Sequence, residues 1–103
     1  MDWISKSNDE ILNELGQRFK VIRMSKKLTQ QILADETGLN RSTIQDLENG
    51  KAVNISSLIS VMRRLNLLDM FDKAFPDFNS SPVLAITKNS KKRVRPAKDA
   101  TIY

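Results

Sequence analysis

Residues 1–75 contain no proline; the three prolines of the chain, Pro76, Pro82 and Pro96, all follow. Inside a helix a proline removes a backbone donor and clashes with the preceding turn. The first three quarters of the sequence therefore lack the strongest helix breaker, and helical patterns fill them. Ser7 followed by Glu10 reads as a capping box. Behind it Leu12, Leu15, Phe19 and Ile22 recur at spacings of three and four, which predicts a helix over about residues 8–26. Thr29 is the N-cap expected for a short second helix through Glu36, with Ile32 and Leu33 facing inward. Gly38 offers a left-handed turn. Asn40 then caps a third helix that runs to Asn49 and carries Ile44 and Leu47 on one face, and Gly50 stands where a C-terminal glycine belongs. Ser56 or Asn54 caps a fourth helix with Leu58, Val61, Met62 and Leu65. A fifth, over about residues 68–75, shows Leu68, Phe71, Ala74 and Phe75. Short helices with brief loops make an all-α bundle over residues 8–75. The prolines, Asn79, Ser80 and Ser81 mark the exit into an arm over residues 76–103.

Charge divides at the same place. Residues 1–78 hold 11 basic and 11 acidic side chains, while residues 79–103 hold 6 basic and 1 acidic. The whole excess of +5 thus lies in the arm. With no cysteine and no histidine, the chain has no thiolate nucleophile, no disulfide, and neither of the commonest zinc ligands and general bases. No apolar run approaches the ~18 residues of a membrane span, and the opening MDWISKSNDE lacks the form of a secretory signal. The expectation is a soluble, intracellular chain that is not an enzyme and uses neither metal nor cofactor.

The most specific stretch is residues 28–51, LTQQILADETGLNRSTIQDLENGK. Two short helices joined by a tight glycine turn form a helix-turn-helix, whose second helix enters the major groove of DNA. In the register Leu28, Thr29, Gln30, Leu33, Ala34, Gly38, Thr43, Ile44, Leu47, Glu48, Asn49 and Gly50, the chain resembles the Xre/Cro-type helix-turn-helix regulators. The resemblance covers about residues 11–68 and implies a five-helix, lambda-repressor-like fold. It assigns base reading to Arg41, Ser42, Gln45 and Asp46. The Arg41 fork suits the O6 and N7 of guanine and Gln45 suits adenine; Asp46 can accept from cytosine or hold Arg41. Backbone phosphates fall to Thr29, Gln30, Thr43, Asn49, Gly50 and Lys51. Arg23 and Glu48 match a scaffold pair of the family. Two departures stand out: the loop after Lys51, AVNIS, lacks the usual proline and looks one residue short, and position 46 is acidic.

One such unit reads few base pairs, so a two-fold dimer on a near-palindrome is expected, with half-sites about 10 bp apart. Leu65, Leu67, Leu68, Met70, Phe71, Ala74 and Phe75 supply more apolar surface than one small bundle can bury, and Leu65, Leu68, Phe71 and Phe75 are the helical contacts expected. Beyond them, Pro76-Asp77, Ser81-Pro82, an apolar run and a Lys/Arg cluster ending in Arg93-x-Arg95 are similar to the tail of HipB-type antitoxins. That resemblance implies an operon repressor that also restrains a HipA-type Ser/Thr kinase toxin. The β-prone run Val83, Leu84, Ala85, Ile86 and Thr87 suits strand pairing with a second subunit or a partner's sheet edge. Lys88, Lys91, Lys92, Arg93 and Arg95 suit phosphates or an acidic toxin surface. Two other readings stay open: a phage-type repressor or restriction-modification controller with no toxin, and an interaction module that chiefly neutralises a toxin.

Overall fold

The computed structural model describes residues 1–77. Among them the fold is all-α and lambda-repressor-like: α1 (Asn8–Ser25), α2 (Gln30–Thr37), α3 (Arg41–Glu48), α4 (Ile55–Arg64) and α5 (Met70–Ala74). The first compact unit spans Met1–Leu68, and a second unit begins at Asp69, of which α5 is the described element. Val83, Leu84 and Ile86 and the basic cluster Lys88, Lys91, Lys92, Arg93 and Arg95 lie outside the described residues.

Local chemistry sets most boundaries. The Ser7 hydroxyl accepts from the Glu10 amide while the Glu10 carboxylate accepts from the Ser7 amide, so α1 opens on a closed capping box. Thr29 accepts from the Ile32 amide and Asn54 from the Ser57 amide, which caps α2 and α4. Asn40 holds the N-cap conformation of α3, but its side chain makes no capping hydrogen bond. At the other ends the chain turns left-handed at Lys27, Gly38, Gly50 and Asn66. After α1, α3 and α4 the same pair of bonds closes the turn. Lys27 N–H donates to Met24 O and Leu28 N–H to Arg23 O; Gly50 and Lys51 repeat this on Leu47 and Asp46, and Asn66 and Leu67 on Arg63 and Met62. Glycine meets the left-handed requirement freely and asparagine tolerates it. Lysine at φ 60° carries a backbone cost of about 1–2 kcal/mol.

In the first unit α1 and α2 both pack on α3, and α4 packs on α2. Leu33, Ala34, Ile44, Leu47, Val61 and Leu65 form the core, with Phe19, Ile22, Leu28, Leu39, Val53, Leu58 and Leu67 around it. Each large apolar side chain so buried stabilises the fold by about 1.5–3 kcal/mol. The sequence pattern needs three corrections. Ile32 faces outward, because an eight-residue helix covers one face and Leu33, Ala34 and Thr37 occupy it. On α1, Leu15 is exposed, because Gly16 takes the position against α3. Leu65, expected at a dimer interface, is 1% exposed and belongs to the core of its own subunit. The fifth helix is also shorter than its apolar pattern, since Leu68 and Asp69 form the turn before it. Near the N-terminus the Arg18 guanidinium sits 4.9 Å from the centroid of the Trp3 ring, a cation–π contact that holds the first residues against α1.

Candidate nucleic-acid interface

The exposed side of α3 follows from its period. Ile44, Leu47 and Glu48 point into the protein, so Ser42, Gln45, Asp46 and Asn49 lie away from them, while Arg41, one turn before Ile44, is left open as the first residue of the helix. Arg41 and Ser42 are exposed, and Gln45 and Asp46 half-buried. Together they present a guanidinium, a hydroxyl, an amide and a carboxylate: donors and acceptors of the kind that read base edges.

What fixes α3 in place is a buried polar network. Arg23 Nε donates to Glu48 Oε2 at 2.7 Å and Arg23 Nη2 donates to Glu48 Oε1 at 3.2 Å, a fork-on-fork pair with both residues under 10% exposed. Arg23 Nη1 donates to the Leu28 carbonyl. Gln30 Nε2 donates to Glu48 Oε1 at 3.0 Å. Among the described residues no buried side-chain nitrogen or oxygen lacks a partner. A buried pair whose remaining valences are met in this way avoids the penalty of orphaned polar groups. One carboxylate thereby joins the end of α1, the start of α2 and the end of α3.

The groups that suit phosphate lie at the start of α2 and past the end of α3. At the start of α2, one hydrogen of the Gln30 amide is engaged by Glu48 and the other remains to donate; the Thr29 hydroxyl accepts from Ile32 and keeps its own hydrogen. Past the end of α3, Asn49 and Lys51 are exposed, with Gly50 between them at φ 81°. Gly50 cannot be replaced freely, because a Cβ there would lie 2.8 Å from Asn13 Cα. Thr43, in the first turn of α3, is half-buried. A cleft runs between the α1–α2 turn and the start of α3, lined among others by Lys27, Thr29, Gln30, Gln31 and Arg41.

The carboxylate at position 46 has a defined neighbour. Asp46 Oδ1 lies 4.0 Å from Lys51 Nζ, and Arg41 makes no ion pair among the described residues. Of the two roles open to Asp46, holding Arg41 is thus not the one adopted here; it restrains Lys51. The pair is solvent-exposed and worth at most about 1 kcal/mol. Sequence reading missed two further features of the site, the left-handed Lys27 and the close approach of Gly16 to α3. Nothing local marks either; both depend on where the helices dock.

Among the described residues no group of His, Cys, Asp or Glu is placed to hold a metal, and no helix is long and apolar enough to cross a membrane. A helix-turn-helix family model matches residues 19–70, half of the chain. No curated protein matches it.

Proposed function

The chain belongs to the helix-turn-helix family of Xre-like DNA-binding transcriptional regulators, and from that premise we propose that it is a sequence-specific repressor and the antitoxin of a HipA-type kinase toxin, binding a near-palindromic operator as a dimer. The observation that carries the DNA-binding half is the Arg23–Glu48–Gln30 network. It fixes the start of α2 against the end of α3, so both phosphate-binding sets keep a constant register with Arg41, Ser42, Gln45 and Asp46. Backbone contacts from Thr29, Gln30, Thr43, Asn49, Gly50 and Lys51 position the protein, and the α3 side chains discriminate bases. Residues 8–75 are the reading unit and residues 76–103 the arm. No cofactor or metal enters this function, and its place is with the nucleoid in the cytoplasm.

Dimerisation is supported by α5. Met70 is 47% and Phe75 73% exposed, and Phe71, half-buried, has its ring 6.1 Å from that of Phe75. Apolar side chains so exposed on a five-residue helix suit burial against a second copy, together with Leu68. With Leu65 spent in the core, the interface is Leu68, Phe71 and Phe75 with the arm residues Val83, Leu84 and Ile86. The toxin partnership rests on the tail sequence, Pro76-Asp77, Ser81-Pro82 and the Lys/Arg cluster ending in Arg93-x-Arg95.

A mobility shift with duplex from the region upstream of its own gene tests the first half. Arg41→Ala weakens that complex by about 1–3 kcal/mol and leaves binding to unrelated duplex nearly unchanged; a wild-type protein that binds neither duplex rejects the repressor. The neighbouring gene tests the second half: a kinase-like toxin supports it and its absence rejects it. Removing residues 88–103, which keeps Val83, Leu84 and Ile86 in place, then abolishes capture of that toxin while operator binding persists.

A further inference from the structure

The left-handed turn after α1 is closed by Lys27, at the position that Gly50 and Asn66 hold after α3 and α4. Glycine would satisfy that turn without strain, so the backbone does not call for lysine. Nor does packing call for it: Lys27 is exposed, and its ammonium makes no hydrogen bond or ion pair among the described residues. A strained residue with no return in folding points to a role outside folding.

Its surroundings say which. Lys27 lines the cleft that also holds Thr29, Gln30 and Arg41, and no carboxylate lines that cleft. Two other surface clefts among the described residues mix signs, with Glu36 beside Arg63 and Arg64 in one and Glu14 beside Arg18 in the other. Arg18, Arg23, Lys51 and Arg64 each face a carboxylate; Lys27 and Arg41 do not. The cleft thus joins two uncompensated cations to neutral donors, on the flank of the proposed base-reading side of α3.

We infer that Lys27 binds a backbone phosphodiester of duplex DNA in this cleft, as an added charge contact on the α2 side of the reading helix. The inference rests on the DNA-binding reading above and extends it to a residue which that reading does not use. Lysine acts there as a point charge on a flexible stem, which tolerates the varied placement of a phosphate oxygen. Such a contact carries no sequence information and adds about one counterion to the salt dependence of binding. The body of the protein, neutral by count, then makes its own ionic contribution, independent of the basic arm.

The test is a salt titration of the full chain on duplex from its own upstream region and on unrelated duplex of equal length. Lys27→Gly and Lys27→Gln each flatten the slope of log affinity against log salt by about 1 and weaken both duplexes by the same factor. Lys27→Arg keeps the wild-type slope. Lys27→Gly also melts no lower than wild type, because the turn accepts glycine, so loss of binding cannot be loss of fold. Wild-type slopes in the Gly and Gln variants, or weakening confined to the upstream duplex, overturn the inference while leaving DNA binding intact. A wild-type chain that binds neither duplex removes the reading beneath it as well.

Discussion

A Cβ placed on Gly16 would lie 2.5 Å from the Leu47 carbonyl oxygen and 2.7 Å from that of Glu48. Both neighbours are backbone, and neither can rotate away. The middle of α1 therefore passes the end of α3 at a distance that only glycine permits. Gly16→Ala is expected to destabilise the protein, although alanine favours a helix over glycine by about 1 kcal/mol. Forcing the helices apart costs about 1–3 kcal/mol, and the displaced α3 weakens operator binding. Urea denaturation decides the sign; an alanine variant more stable than wild type would refute the close approach.

Glu48→Ala leaves the buried Arg23 guanidinium without its carboxylate and the Gln30 amide without its acceptor. The expected loss is about 3–5 kcal/mol. Combining it with Arg23→Met restores much of that, because the uncompensated charge is gone. A double-mutant cycle in denaturant measures the coupling, and strictly additive losses would contradict a network built on this pair.

Asp46→Asn frees Lys51 and removes the one carboxylate on the proposed reading side of α3. Stability changes by less than about 1 kcal/mol, since the pair is exposed. Affinity for unrelated duplex rises, most at low salt where surface charges are least screened. Unchanged affinity at low salt would remove Asp46 from the DNA-facing surface.

Hydrogen bonds from the Ser7 backbone and side chain hold the Glu10 carboxyl below its ordinary value of 4.5. A carboxyl whose folded value is lowered stabilises the fold when ionised. The contribution is complete above the ordinary value and disappears as pH falls through the lowered one. Protection of the first-turn amides of α1 against exchange should fall over that acid range, and Glu10→Gln, which removes the titrating group, should abolish the dependence. Equal acid sensitivity in the glutamine variant would place its origin elsewhere.

The elements legible in the sequence are those made by neighbours. Ser7 with Glu10, Thr29 with Ile32 and Asn54 with Ser57 are bonds three residues apart, and Gly38 and Gly50 answer a demand of their own backbone. Residue type and short spacing suffice to read them. Ile32 misled because an apolar residue beside Leu33 and Ala34 looks inward until the width of the covered side is known. Leu65 misled for the complementary reason: an apolar surplus does not say which members the subunit keeps.

The sequence alone determined that the body is helical and neutral and that the basic excess lies in the arm. Tertiary structure decided what that neutrality means. Attraction between charges depends on their separation in space, which no count along a chain contains. Docking of α1 and α2 on α3 spends Arg23 on Glu48, and the turn after α3 sets Lys51 against Asp46, while Lys27 and Arg41 are left facing one cleft without a counter-charge. A sum of zero is thereby divided into compensated pairs, a locally positive cleft and charges of both signs spread over the rest of the body.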